Sequence, residues 1–598
     1  METQGSGRAP NRVEADVLIV GGGGAGLTAS MLLAQMGVDA LLVSALPGTS
    51  VLPKAHVLNQ RAMEVLGDCG VADAIYAAAT PPEQMSHTAF YAGFAGGPGA
   101  GRVLYKQESW GGGGSDPDWA SASPRLTTNL PQIRLEPLLR DRAEALSPGR
   151  VRFHHEVMSV RETGDRILAE VVDHAAGATY EVSASWLLAC DGGRTIGPMA
   201  GVELQGLTDL ARTATLYLSA DFSGFAGDPD VLLRWVLSPQ TGKMAVLAPM
   251  GPTRWGADSE EWVVHLNYAM DDQRAFDDAS VVADVREALG IGDHPVEVHL
   301  VTRWTIAGAV ADKFRVGRVL IAGDAAHRHP PTGGLGLTSA IHDVHNLCWK
   351  LAHVVRGTAG PDLLDTYEQE RRPVASRNVQ RSLENALAYI VLGEQTGFTD
   401  LTLTAADRWA RLARVWSGDP GDAAFRRATI ELMAGQSQEF REHDVEYGYR
   451  YQSAAVVPDG SAEPPDRDFR LFTPSTRPGA PLPHAWVEDE RFERRSTLDL
   501  VGVGRFAVLA GEDGQAWCAA AGKVAAELGV EIDAWTIGHA RGDLRDPRLR
   551  WQRVREFGPE GAVLVRPDRC IAFRSMGAAS DPVAQLRDAA LTVLSRPS

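Results

Sequence analysis

The sequence predicts an α/β fold: a doubly wound parallel sheet interleaved with an antiparallel sheet, then a helical segment and a small terminal α/β domain. Three observations predict it. Ala15 to Val20 reads as a buried strand, Gly21 to Gly26 as a turn and Leu27 to Met36 as an apolar helix, and Val38 to Val43 closes a strand–helix–strand unit. Far downstream, Val319 to Ala322 leads through Gly323-Asp-Ala-Ala-His327 into a helix from about Thr338 to Val355. Between the two, short alternating segments such as Ala214 to Leu218 and Trp262 to Tyr268 have the period of antiparallel strands.

At 598 residues the chain exceeds one hydrophobic core, so several domains are expected. The doubly wound sheet is expected from residues 14–200 and 289–395, the antiparallel sheet from 201–288, the helices from 396–470 and the terminal domain from 475–598. Gly93 to Ser115, crowded with glycine, reads as a mobile surface excursion, and Pro458 to Pro483 as a linker. Phe506 to Ala510, a helix near Trp517 to Leu528, and Gly561 to Val565 outline the terminal unit.

Composition narrows the function. The net charge of −18, without a long Lys/Arg run, disfavours nucleic acid and anionic membrane surfaces as partners. Met1 to Ala15 is polar rather than signal-like, and no run of about eighteen apolar residues predicts a membrane span. Cys69, Cys190, Cys348, Cys518 and Cys570 are scattered without a Cys-x-x-Cys pair, so no metal site and no disulfide framework is expected, and a reducing cytoplasm fits.

Gly21, Gly23 and Gly26 satisfy Gly-x-Gly-x-x-Gly between a strand and a helix, with Gly24 and Ala25 inside the turn. Such a loop lets a pyrophosphate approach the backbone at a helix N-terminus. The acidic residue that commonly ends the second strand and bonds a ribose is missing: Ser44 stands there, offering a neutral hydroxyl. In the later loop, Gly323 and Asp324 follow a strand, and Pro331, Gly334, Leu335 and Gly336 precede a helix. An Asp at a strand end can bond polyol hydroxyls, and the loop can offer backbone N–H groups. The plainer alternative is a strand–turn–helix capped by Asp324.

With these loops, Pro53-Lys-Ala-His-Val-Leu-Asn-Gln-Arg61, Gln132-Ile-Arg-Leu-Glu136, Cys190-Asp-Gly-Gly-Arg-Thr195 and Asp343-Val-His-Asn-Leu-Cys-Trp-Lys-Leu351 complete a pattern over roughly residues 14–390. It resembles the single-component flavin aromatic hydroxylases of the para-hydroxybenzoate hydroxylase fold, in the phenol and chlorophenol hydroxylase branch with its polyketide-tailoring relatives. The resemblance implies non-covalent FAD as cofactor, NADPH or NADH as a transient reductant, and oxygen and a small-molecule substrate, phenolic or polycyclic aromatic, that is hydroxylated. It implies that Lys54 and Gln132 contact the flavin, that Asp191 and Gly192 serve FAD and nicotinamide, that Asp324 binds the ribityl chain, and that Pro331 lies beside the flavin ring. Ser44, Thr338, His342 and Pro198 depart from that pattern. The terminal domain resembles the thioredoxin-like appendage of this branch but has no redox pair, since Cys518 is followed by alanines; structural support or a homodimer contact is expected of it.

In such relatives a flavin hydroperoxide transfers oxygen to an electron-rich ring, and removing the phenol proton activates that ring. His56 matches a position near the substrate hydroxyl and is the candidate base; packing beside the flavin is the alternative. His265 and Tyr268 lie on one strand, where alternation puts them on opposite faces, and His265 is a weaker catalytic candidate. Tyr217, Trp235, Met244 and Pro331 are candidate substrate-lining residues, with ordinary core as the alternative. A flavin oxidase or rearrangement enzyme on the same fold, and a flavin-binding interaction protein without turnover, are the competing readings.

Overall fold

The computed structural model describes residues 12–225, 227–272, 276–400, 402–462 and 468–597. The polar N-terminal stretch before Arg12 and the middle of the expected linker lie outside them. Parallel strands run in the order Val151–Phe153, Ala40–Ser44, Arg12–Val20, Ala178–Ala189, Val319–Ile321. Consecutive residues such as Val17 to Val20 and Leu41 to Val43 are all buried, as in a sheet covered on both faces. From Arg12–Val20 the chain adds strands first to one side and then to the other. That reversal opens a crevice at the carboxyl ends of the strands, where α/β folds bind ligands.

The second sheet runs His327–Arg328, Glu297–Ala311, Leu204–Ser219, Glu261–Tyr268, Lys243–Gly251, Val231–Ser238, His87–Ala92, Arg102–Glu108, antiparallel except where Val231–Ser238 meets His87–Ala92. Strands from both sides of 201–288 thus join it, because their pairing partners are remote in sequence. One face packs on the helix Asp278–Leu289, which buries Leu216, Val264, Leu266 and Tyr268.

Gly93 to Ser115 is not a loose excursion. Arg102–Glu108 is the edge strand of this sheet, and Gly111 and Gly113 sit at φ 79° and 66° in packed turns. A Cβ would come within 2.9 Å of the Trp119 ring at Gly111 and 2.3 Å of the Pro82 carbonyl at Gly113. Glycine is used there for close packing, which composition does not distinguish from flexibility.

The terminal unit pairs Phe506–Gly511 in parallel with Ile532–Gly538 across the helix Gln515–Leu528, then adds Ala562–Val565 and Ile571–Ser575 antiparallel and the helix Pro582–Val593. This is a thioredoxin-like order. It does not hang from a linker: Phe506, Trp517 and Leu586 belong to the same apolar core as the first sheet, and Phe506 packs edge-on to Trp349 at 5.7 Å. Among the described residues no helix is long and apolar enough to cross a membrane.

Candidate active site

Two helices begin side by side at the crevice. Gly24–Gln35 starts after the first strand and Leu335–Val355 after the later loop, and neither has a side-chain cap. A Cβ on Gly24 would sit 2.6 Å from Leu337, and one on Gly26 would sit 2.0 Å from the Gly21 carbonyl, so the loops are as close as backbone permits. Gly323 sits at φ 65°, where a Cβ would come within 3.2 Å of Ala340 and 3.5 Å of Ala25, so the two loops pack closely there. Free N–H groups and the positive ends of two helix dipoles therefore face one space, which suits a pyrophosphate. Asp324 is exposed although Ala322, Gly323, Ala325 and Ala326 are buried, so its carboxylate is open to solvent beside the loop. The residues present fit a flavin dinucleotide.

The loop after Val319–Ile321 is held from beneath. Asp343 accepts hydrogen bonds from Gly323 N at 3.1 Å, His327 Nε2 at 2.6 Å and Arg371 Nε at 2.8 Å. These partners hold its carboxyl well below the usual carboxylate range despite burial. On the other side of the crevice, Gln132 accepts from Ala55 N at 3.2 Å and donates to Glu136 at 2.8 Å, and Glu136 also accepts from Ser50 N at 2.7 Å. Glu136 feels Lys54, and a Cβ on Gly23 would lie 3.7 Å from its carboxylate; Ser44 is buried, and a Cβ on Gly22 would lie 3.0 Å from it. Asp191 spends its carboxylate on its own turn, accepting from Gly193, Thr195 and Ile196 N–H groups, which leaves Gly192, at φ 73°, at the surface of that turn. Thr338 bonds back to the Leu335 carbonyl, and the His342 ring lies 5.9 Å from that of Tyr449.

The inner face of the second sheet roofs the site. Register places Thr215, His265, Val246, Trp235 and Phe90 in one row, with Tyr217 and Met244 on the same face. Tyr268, on the opposite face, lies under Lys243 Nζ at 3.5 Å from its ring centroid. Trp235 stacks on Tyr389 at 4.2 Å, and Tyr217 donates to Glu261, which also holds Arg134 at 2.6 Å. His56 enters from below, with Nδ1 at 2.5 Å from Asn129 Oδ1, beside Val57, which a Cβ on Gly334 would meet at 3.8 Å. His56 and His265 are both surrounded by protein yet keep accessible surface, as side chains lining an internal space do. Burial lowers the pKa of His56, and burial with the charge of His56 pushes His265 down to about 4.

Sequence reasoning missed Glu136, Asn129, Thr215 and Tyr389. Glu136 lay inside the Gln132 to Glu136 motif and Thr215 inside the Ala214 to Leu218 segment; Asn129 and Tyr389 reach the site through pairing and packing between separate segments.

The FAD binding domain family matches residues 14–382, and the aromatic-ring hydroxylase C-terminal family matches residues 475–597. A 2,4-dichlorophenol 6-monooxygenase of Delftia acidovorans is 36% identical, aligned over 98% of each chain. Tetracenomycin B2 monooxygenase-dioxygenase of Streptomyces olivaceus is 33% identical over 98% of this chain and 100% of that one. The structure of the flavin-dependent monooxygenase PieE with FAD and substrate superposes with a TM-score of 0.90 at 37% identity, covering 98% of this chain and 100% of that one. The glycine crevice, the sheet roof and the terminal domain thus recur together in relatives of full length, and the chain belongs to the FAD-dependent aromatic-ring hydroxylases, as a monooxygenase.

Proposed function

We propose that the protein hydroxylates a phenolic or polycyclic aromatic substrate with molecular oxygen, using NADPH or NADH as a transient reductant. The observation that carries this is His56: Asn129 engages its Nδ1, which leaves Nε2 as its basic nitrogen, and its charge bears on His265 of the sheet above. Gly21, Gly23, Gly24, Ala25 and Gly26 hold the FAD pyrophosphate, and Ser44 lies on the adenosine side. Asp324 bonds the ribityl hydroxyls; Lys54, Gln132, Asp191 and Gly192 border the cofactor; Pro331, Gly334, Leu335 and Gly336 face its ring. When bound, FAD supplies electron transfer and oxygen activation. The chain's own residues orient the ring and take its hydroxyl proton at His56 Nε2, and Trp235, Tyr217 and Met244 with their sheet neighbours keep water out.

A cytoplasmic location is supported by all five cysteines being free. The protein associates as a homodimer, which sedimentation checks. The function is tested by substrate-dependent nicotinamide oxidation under labelled oxygen. Label in the hydroxylated product is expected; product without label would assign an oxidase or rearrangement reaction instead.

A further inference from the structure

His56 and His265, whose charges bear on each other, are wired in opposite senses. Above, Trp304 Nε1 donates to Thr215 Oγ1 at 3.0 Å, and Thr215 Oγ1 stands 2.8 Å from His265 Nδ1. An indole N–H only donates, so the Thr215 oxygen accepts there; its own buried hydroxyl proton still needs an acceptor, and the one beside it is His265 Nδ1. A neutral imidazole that accepts at Nδ1 carries its proton on Nε2. Below, His56 donates Nδ1–H to Asn129 Oδ1, while Asn129 Nδ2 donates to Thr80 Oγ1 at 2.6 Å. His56 therefore presents a lone pair at Nε2, and His265 an N–H. His56 is also the titratable group whose charge bears on His265, so a proton arriving on one opposes a second on the other.

We propose that His265 is the donor that holds the substrate oxygen: Thr215 and Trp304 fix its Nε2–H tautomer, and the phenol oxygen that yields its proton to His56 accepts from His265. This deepens the reading of His56 as base and rests on it. The step balances within the pair. The phenol O–H bond breaks, the proton forms an N–H bond at His56 Nε2, and the electron pair stays on oxygen, where His265 Nε2–H stabilises it. Thr215 and Trp304 are positioning residues, acting only through the ring of His265. The arrangement selects a substrate whose reading point is a hydroxyl that becomes an anion, and it offers nothing to a methoxy group, which has no proton to give.

The test uses FAD-loaded holoenzyme and para-nitrophenol, a chromophoric phenol whose ionisation is read from its phenolate absorption. Bound to wild type, the probe is expected to ionise at lower pH than in water. In His265→Phe its phenolate affinity is expected to fall about 10- to 100-fold, the scale of one hydrogen bond to a charged oxygen, with a matching rise in bound pKa. His265→Gln, which keeps a neutral N–H, is expected to recover most of this. Thr215→Val is expected to move the probe in the same direction by several-fold, because His265 is then free to take either tautomer; it decides the matter if His265→Phe loses its flavin. An unchanged probe pKa in His265→Phe, or in Thr215→Val should the first lose flavin, overturns the donor role. Coupled hydroxylation persisting in His56→Ala would instead overturn the base reading beneath it, so the two failures are distinguishable.

Discussion

At the scale of single residues, His56 and Asp324 are the positions where chemistry and cofactor meet the chain. Replacing His56 with Ala is expected to lower coupled hydroxylation by about 10²–10⁴-fold while FAD stays bound, measured as product formed per nicotinamide oxidised. The acid limb of wild-type activity should fall below pH 6.5, the ordinary histidine value, because burial lowers the pKa of His56 and a base works only when neutral. Asp324→Ala is expected to weaken FAD binding by about 10- to 100-fold in a flavin titration, since ribityl hydroxyls would lose a charged partner in a confined space. Asp191→Ala acts differently: its carboxylate closes its own turn through three backbone N–H groups, so its loss is structural before it is functional.

At the scale of elements, the later flavin loop is braced at both ends. Asp343, on the helix Leu335–Val355, pins Gly323, and Glu439 accepts from Gly333 N at 3.0 Å and from Tyr389 at 2.5 Å. Asp343→Ala leaves His327 and Arg371 without their buried carboxylate, and a destabilisation of about 3–5 kcal/mol is expected in denaturant unfolding, together with loss of FAD. Burial pushes the Glu439 carboxyl up to about 8 from an unfolded value near 4.5. The native state then keeps a proton that the unfolded chain has released. Stability from this group is full below about pH 4.5 and is lost as the pH rises toward about 8, at roughly 1 kcal/mol per pH unit at most. Melting temperatures across that range should decline less steeply in Glu439→Gln than in wild type.

At the scale of the whole molecule, the terminal domain is wired into the flavin domain. Arg566 and Lys350 both reach Glu370, at 2.5 Å and 2.6 Å, and Asn346 bridges Glu370 to Asp568, with all these side chains buried. Glu370 precedes Arg371, which holds Asp343 and through it the Gly323 loop, so the network runs from the terminal domain toward the cofactor. Arg61 donates to the Asp568 carbonyl at 2.6 Å, and Arg569 pairs with Asp68 at 2.5 Å. Removing one side of such a network leaves uncompensated buried charge. Truncation before Arg477 is therefore expected to give an aggregating protein without flavin, read by size-exclusion and the flavin absorbance of the soluble fraction. A soluble, FAD-bound truncation would show the domain to be an appendage, as its sequence alone suggests.

Each glycine loop was legible in the chain because its strand, turn and helix are neighbours in sequence, and backbone sterics write them into local residue types: Gly21 to Gly26 and Gly323 to Gly336 announce themselves. The antiparallel period likewise marked the sheet around His265 and set Tyr268 on its other face. What tertiary structure alone decided are contacts between separate segments, 196 residues apart for Arg566 and Glu370, whose pairing carries no local signal. Arg102–Glu108 became an edge strand through its pairing with His87–Ala92, Asn129 took His56 Nδ1, Thr215 took His265, and Arg566 found Glu370. Local pattern states which backbone shapes a segment favours, whereas the partner of a buried polar atom is chosen by where the folded chain leaves it.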